Sequence, residues 1–285
     1  MNITIVKEEL LKLYKKSLFL SEEYTYHPIR VIQAVKSIIG INIDKPIVGL
    51  LKFCKEYTNQ YNFIEKVNYE NKDLDFPAMV SYKNLEESLL NKDLEKTYSN
   101  IYYLTTVSEG MQVVEFLLEY SLKYSKDSFP FIWSIYRMLL FADKKDIFKS
   151  LLICSDVLIK SKALIKFNYE EFDNMQSIKW KRIQSNQFEQ ISIFFSIYHS
   201  ELIRKETINK YISKILCIKG LGISYDKSAG LDLDRVWIYS YFKDLSQKDI
   251  KVEDVLYYDA VRSVIKCANE NNFNKSQIEK INAVK

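Results

Sequence analysis

The chain has 285 residues, of which 47% are hydrophobic and 27% are charged, and its 41 basic and 37 acidic residues leave a net charge of +4. This apolar fraction is enough for a sizeable core and excludes an intrinsically disordered chain. The slight positive excess is spread along the sequence, whereas nucleic-acid-binding proteins concentrate Lys and Arg on one face. Only six glycines and four prolines accompany 21 tyrosines and 16 phenylalanines, which favours helices.

Apolar residues recur at helical spacing through most of the chain. The predicted helices span residues 8–20, 28–39, 46–61, 84–91, 94–104, 108–124, 130–141, 147–163, 186–205, 208–218 and 252–269. Residues 233–242 are compatible with a helix or a strand, and only 2–6 and 236–241 show a marginal strand alternation. We therefore predict an all-α fold of stacked antiparallel helical hairpins, compact or slightly solenoidal.

Three residues mark predicted helix ends. Pro28 suits the first position of the second helix, where its missing N–H costs no hydrogen bond. Gly40 is expected to end that helix in the left-handed conformation. Ser108 is the expected N-cap of the helix over residues 108–124.

The domain organisation follows from the same pattern. Residues 27–57 and 129–159 share one plan, a proline-started helix, a short break and a second helix, which indicates a weak internal repeat. The stretch between Leu164 and Ser177 is where any domain boundary is expected to fall. The sequence predicts one helical domain over residues 1–285, with a possible subdivision into 1–165 and 178–285.

Targeting and redox signals point to the cytoplasm. No apolar run of signal-peptide length occurs near the N-terminus, and no stretch reaches the roughly 18 apolar residues of a membrane span. The four cysteines include no CxxC pair, because the nearest two, Cys217 and Cys267, are 50 residues apart (267 − 217). We expect a cytoplasmic protein without a membrane span, with buried reduced thiols. Reactive thiols are the alternative.

Common catalytic and binding motifs are missing from the sequence. It contains neither phosphate-loop pattern, GxGxxG or GxxxxGK followed by Ser or Thr, and no HExxH, GxSxG, ExxH or EF-hand loop. These absences exclude the usual signatures of nucleotide, zinc-protease, hydrolase and di-iron sites. The sequence assigns no cofactor.

His27 is the first candidate catalytic residue. A helix N-terminus would favour its neutral form, and Tyr24 and Tyr26 lie close in sequence. The alternative is a capping or packing residue at the helix start. His199 is a second candidate, although Glu201, two residues away, lies on a different helix face.

Two charged clusters could bind ligands. Asp226, Asp232 and Asp234 lie in and beside a glycine-rich loop and could hold a divalent cation, and the alternative is a solvated turn with an N-cap. The second cluster combines an aromatic ring with basic residues that could stack on and neutralise a nucleotide, and the alternative is a solvated helix edge. Its members are Lys179, Trp180, Lys181 and Arg182.

Residues 27–57 resemble one helix hairpin of questin-oxidase-like proteins, in which a His begins a helix that a Gly ends and a second helix closes with Phe-x-x-x-Tyr. The matching positions here are His27, Ala34, Gly40, Phe53 and Tyr57, with Val35 in place of a family Leu. In that family the activity is oxidative ring cleavage of aromatic polyketides, and several helices carry further histidines. Neither 105–116 nor 129–135 contains one, so the resemblance implies a retained helical shell without the chemistry.

Three functions remain open from the sequence. The first is a non-catalytic cytoplasmic interaction or scaffold protein that uses a Tyr-rich helical surface to bind a protein partner or a second copy of itself. The second is an oxidoreductase-like enzyme with an apolar, aromatic-lined pocket around His27. The third is a weak nucleic-acid binder through residues 179–182, although the dispersed charge makes nucleic acid an unexpected partner.

Overall fold

A computed structural model of the chain describes residues 2–21, 23–61, 69, 77, 79–125, 127–142, 144–161, 185–200, 202–203, 208 and 235–270. Within these ranges there are eleven α-helices and no β-strand. The helices are α1 (Ile3–Lys16), α2 (Pro28–Ile39), α3 (Val48–Asn59), α4 (Tyr82–Leu90), α5 (Leu94–Val107), α6 (Met111–Tyr124), α7 (Phe129–Leu139), α8 (Ile147–Lys160), α9 (Ser185–Ser200), α10 (Val236–Asp244) and α11 (Val252–Glu270). The predicted all-α fold is confirmed.

Residues 3–6 and 236–241, from the two stretches with marginal strand alternation, are helical, so the choice left open between a helix and a strand is resolved in favour of a helix. In α1 the buried residues Val6, Leu10, Leu13 and Tyr14 follow the helical period, whereas Ile3 and Ile5 are exposed. In α10 the buried residues Ile238, Tyr239 and Phe242 do the same. A helix places these apolar residues on one buried side, and this burial favours the helix where the local sequence alternation fits either a helix or a strand. The predicted helix over 208–218 lies outside the described residues, apart from Ile208.

Pro28 begins α2 as predicted, but the other two expected helix ends are different. Gly40 follows α2 without a left-handed φ, because Ile41 and Asn42 donate their N–H groups to Ile38 and Ile39 and close the helix with tighter turns. Ser108 ends α5, and its hydroxyl donates to the Leu104 carbonyl at 2.7 Å. The N-cap of α6 is Gly110, with a φ of 80°.

The helices belong to two compact units. The α8 unit comprises Thr4–Gln33 and Cys54–Ile165, and the α9–α11 unit comprises Met1–Ile3, Ala34–Phe53 and Lys166–Lys285, so the division falls inside α2 and α3. In the α8 unit, α8 packs against α4, α5, α6 and α7, and α4 packs on α5 and α6 on α7. In the other unit, α9 packs on α11. A single domain over 1–285, or its subdivision near residue 165, stays a prediction.

The centre of the α8 unit is formed by two helices that are buried on nearly all sides. Every residue of α7 from Phe129 to Ile135 is buried, as its apolar sequence predicts, and so is every residue of α8 from Ser150 to Leu158. None of the described helices combines the length and apolar character needed to cross a membrane.

Gly110 lies where this packing leaves little room for a side chain. A Cβ added there would lie 2.5 Å from Cγ2 of Ile147, at the start of α8, and the left-handed φ is itself unfavourable for an L-residue. We expect Gly110→Ala to lower the free energy of unfolding by about 2 to 4 kcal/mol. Equilibrium urea unfolding followed by circular dichroism measures this change.

Gly49 provides the matched control. It lies in α3, and a Cβ added there meets no atom within 4 Å. Gly49→Ala is expected to be neutral or to stabilise the protein by up to about 1 kcal/mol, since Ala is the better helix former. Equal losses for the two variants would contradict the packing described for Gly110.

Candidate functional site

His27 lies immediately before α2 in a pocket of aromatic rings, and 1% of its surface is exposed. Its ring stacks on Tyr24 with the centroids 5.8 Å apart, and the Phe19 and Phe131 rings lie at 4.6 and 5.1 Å. Two of the three candidate catalytic residues, Tyr24 and His27, are therefore in contact. The rings enclose His27 on several sides and separate it from solvent.

One hydrogen bond sets the tautomer of His27, and burial sets its protonation state. The Ile29 backbone N–H donates to Nδ1 at 3.2 Å, so the proton of the neutral ring lies on Nε2. Nε2 is buried and makes no hydrogen bond to another described residue. Burial lowers the pKa of His27 to about 3, and the nearby Phe19 backbone opposes this shift only in part. At neutral pH the imidazole is an uncharged cap of α2, and its low basicity is poorly suited to general-base chemistry.

Tyr24 connects the loop before α2 to α8. Its hydroxyl donates to Oδ2 of Asp156 at 2.9 Å, and Nζ of Lys160 lies 3.0 Å from the same oxygen. The Asp156 side chain is 2% exposed, so this carboxylate depends on both partners. Burial and the Asp156 charge raise the pKa of Tyr24, which keeps the phenol protonated.

Tyr26 contributes its backbone to this region. Its side chain is exposed, and its carbonyl accepts a hydrogen bond of 2.5 Å from the hydroxyl of Tyr57 on α3. Tyr57 is one of the positions that carry the family resemblance, and this bond ties α3 to the loop before α2. A catalytic role for His27, Tyr24 and Tyr26 stays a prediction.

Several other sequence candidates have no described side-chain environment. Lys179, Trp180, Lys181 and Arg182 lie outside the described residues, as do Asp226, Asp232 and Asp234. His199 lies near the end of α9, and its predicted neighbour Glu201 is outside the described residues. Among the residues that are described, no three His, Cys, Asp or Glu side chains form a group that could hold a metal ion.

Two of the four cysteines can be compared with the prediction of buried thiols. Cys54 and Cys154 are free and fully buried, and burial raises the pKa of both thiols, which suppresses the reactive thiolate. The prediction is confirmed for these two residues.

An aromatic surface that the sequence analysis missed lies on α10 and α11. Trp237 on α10 is 36% exposed, Val236 beside it is 52% exposed, and Tyr241 and Tyr257 are half-buried. These residues escaped notice because 233–242 could be assigned to a helix or a strand, and the surface was not sought although their spacing places Trp237 and Tyr241 on one face in either conformation. The i, i+4 spacing of the two rings was the available signal.

The buried Tyr258 on α11 packs against the rings of this aromatic surface. It is 5% exposed, and its ring lies 5.8 Å from Trp237, 4.6 Å from Tyr241 and 5.4 Å from Tyr257. The α10 helix is also tied down by the Tyr239 hydroxyl, which donates to the Lys45 carbonyl at 2.6 Å. The rings of Trp237, Tyr241 and Tyr257 therefore pack against a buried tyrosine.

Comparison with known proteins gives one local similarity. No protein-family model matches the chain, and no solved structure matches it. The chain is 29% identical over 158 residues to dynein heavy chain-like protein 1 of Plasmodium falciparum (isolate 3D7). The similar region is 50% of this chain and 3% of that protein, so this chain spans a very small part of the relative's length.

The buried neutral state of His27 makes a pH-dependent contribution to stability. In the unfolded chain a histidine ionises below about pH 6.5, whereas the folded protein keeps His27 neutral down to about pH 3. The unfolded state binds the extra proton in this window, so stability falls with decreasing pH by up to about 1.4 kcal/mol per pH unit from this group.

His27→Asn removes the titrating ring but keeps an acceptor that can cap α2. We expect the variant to be less stable at pH 7 by about 1 to 3 kcal/mol, because ring packing is lost. The gap between the two proteins should shrink as the pH falls from 6.5 towards 4. Urea unfolding of both at pH 7, 6, 5 and 4 measures it, and a difference that does not change with pH would contradict the neutral assignment.

Proposed function

We propose that this chain is a non-catalytic helical protein that binds another protein through the aromatic surface of α10 and α11. The observation that carries the proposal is the exposed Trp237, which stands on a fixed aromatic base. Trp and Tyr are enriched at the energetic centres of protein interfaces, because a rigid ring buries a large area at little conformational cost.

The residues around Trp237 are apolar and aromatic, as in the centre of many protein interfaces. Val236 adds an exposed apolar side chain, and the half-buried Tyr241 and Tyr257 combine apolar ring faces with hydroxyls. Tyr hydroxyls at the edge of such a patch can form hydrogen bonds with a partner while the ring faces exclude water.

The geometry around His27 supports the same proposal over the enzyme alternative. Its imidazole is enclosed, accepts a bond from the Ile29 N–H and stays uncharged at neutral pH. These features suit a helix cap. The local similarity to a dynein heavy chain-like protein covers too little of that protein to supply a partner or an activity.

We expect Trp237→Ala to abolish partner binding while the protein stays folded. Truncating a central Trp of an interface typically costs 2 kcal/mol or more, which is about 30-fold in affinity. The tagged full-length protein is expressed in its source cells, and co-purifying proteins are quantified by mass spectrometry. Native mass spectrometry of the same preparations detects a second copy of the chain or a bound small molecule.

Leu140→Ala is the control, because Leu140 is 63% exposed but lies on the α8 unit. A partner retained by Leu140→Ala and lost by Trp237→Ala, with thermal unfolding of both variants close to wild type, supports the proposal. A partner set unchanged by Trp237→Ala contradicts it. So does a small molecule that co-purifies with the wild type and disappears in His27→Asn.

A further inference from the structure

A row of four aromatic rings joins α4 and α6 in the α8 unit. The centroid of the Tyr82 ring on α4 lies 5.1 Å from that of Phe116 on α6. Along α6 the Phe116 and Tyr120 rings are 6.4 Å apart, and the Tyr120 and Tyr124 rings are 4.6 Å apart. The three residues of α6 follow one another at i, i+4 spacing, which places them on one face of the helix. We call Tyr82, Phe116, Tyr120 and Tyr124 the ring row.

The ring row is partly open to solvent. Tyr120 is 7% exposed and forms its buried base, whereas Tyr82, Phe116 and Tyr124 are half-buried. Leu90, two turns after Tyr82 on α4, is 50% exposed and extends the apolar surface along that helix. A partner that covers these side chains would remove further apolar area from water, which favours binding.

An ion pair between the two helices closes one end of the ring row. Nζ of Lys123 lies 2.8 Å from Oε1 of Glu86 on α4, and the Tyr124 hydroxyl donates to the same oxygen at 3.2 Å. The Lys123 ammonium also lies over the Tyr124 ring, 4.8 Å from its centroid. These contacts connect α4 to α6 and direct the Lys123 charge towards α4.

A second row on α6 is acidic and consists of Glu115 and Glu119. Glu115 is half-buried and Glu119, one turn later, is exposed. Glu119 follows Phe116 by three residues, so this acidic row and the ring row are neighbours on the helix surface. Both lysines of α4 and α6 have their nitrogen 3.8 Å or less from a glutamate oxygen of α4. Four glutamates and two lysines give the two helices a net charge of −2.

We propose that the ring row and the acidic row form a docking surface for a basic amphipathic helix of a partner protein. Apolar side chains of that helix would cover the rings, and its Lys or Arg side chains would pair with Glu115 and Glu119. The two glutamates are separated by about 6 Å along the axis of α6, as are residues i and i+4 of any partner helix. A helix therefore matches both rows at once, because its own side chains form parallel rows of the same spacing.

The negative charge distinguishes this partner from other binders of aromatic surfaces. Nucleic acids and anionic membranes present phosphates, which the acidic row repels. A basic helix is attracted by the same charge, so charge complementarity selects the occupant. The docking surface belongs to α4 and α6, and the proposal does not depend on the α10–α11 surface.

A pair of designed peptides tests the proposal by calorimetric titration of the full-length protein. The first is acetyl-Ala-Ala-Lys-Leu-Ala-Ala-Lys-Leu-Ala-Ala-Lys-Leu-Ala-Ala-amide, in which leucines and lysines form adjacent rows at i, i+4 spacing. The second carries Glu in place of every Lys. We expect a Kd of about 0.1 to 1 mM for the lysine peptide and at least about 10-fold weaker binding of the glutamate peptide. Raising the salt concentration from about 0.05 to about 0.5 M should weaken the lysine peptide.

The double variant Glu115→Gln with Glu119→Gln removes the acidic row. We expect it to weaken the lysine peptide at least about 5-fold. Glu8→Gln with Glu9→Gln makes the same change in net charge at the surface of α1 and should alter the affinity less than about 2-fold. Equal binding of the two peptides, equal losses in the two double variants, or the absence of saturable binding would overturn the proposal.

Phe116→Ala tests the ring row and should weaken the lysine peptide at least about 5-fold. Ile5→Ala, which truncates an exposed apolar side chain of α1, should have no effect. Circular dichroism checks that both variants are folded, and the glutamate variants decide the outcome if Phe116→Ala is unfolded. Unchanged binding to a folded Phe116→Ala contradicts the proposal. Loss of binding in Trp237→Ala would place the peptide on the α10–α11 surface and also overturn it, so the two surfaces fail separately.

Discussion

The buried carboxylate of Asp156 is the constraint on which the arrangement around His27 depends. An ion in the interior costs several kcal/mol unless its oxygens are hydrogen-bonded and its charge is compensated. Lys160, one turn later on α8, supplies the charge at 3.0 Å, and Tyr24 supplies the hydrogen bond at 2.9 Å. Since Tyr24 comes from the segment between α1 and α2, satisfying Asp156 fixes that segment on α8. The Tyr24 ring is then held where His27 stacks on it.

A second polar contact on α8 works in the same way. The Ser150 hydroxyl donates its single proton to the Asp146 carbonyl at 2.6 Å, so the Tyr14 hydroxyl must be the donor in its 2.6 Å contact with Ser150. This bond joins α1 to α8 across a buried interface. Apolar packing alone tolerates small shifts of one helix along another, whereas a buried donor without its acceptor costs about 1 to 3 kcal/mol. Hydrogen bonds from Tyr14 and Tyr24 thus help to set the positions that the apolar core leaves loosely defined.

The sequence predicted the helices better than the contacts between them. Apolar periodicity identified most helices, and Pro28 marked the start of α2, because both signals are local. Gly40 and Ser108 were misassigned because a helix end is chosen by competing hydrogen bonds a few residues away, which one residue's preference does not decide. The hydrogen bond between Tyr24 and Asp156 joins residues 132 positions apart in the sequence, and the spacing of residues along one element does not predict such a contact. The position of His27 at a helix start indicated its neutral form, but its burial depends on surrounding rings that sequence spacing does not bring together.

The candidate contact surface on α10 and α11 is a place where the chain departs from the rules that stabilise an isolated domain. Trp237 keeps more than a third of its surface in water although Tyr258 offers a ring to pack against. The Asp156 carboxylate of the α8 unit, by contrast, is buried together with a hydrogen-bond donor and a counter-ion. Local departures of the first kind persist when another requirement outweighs stability. A protein partner whose apolar surface covers Trp237 would meet such a requirement, because it would remove the exposed ring from water.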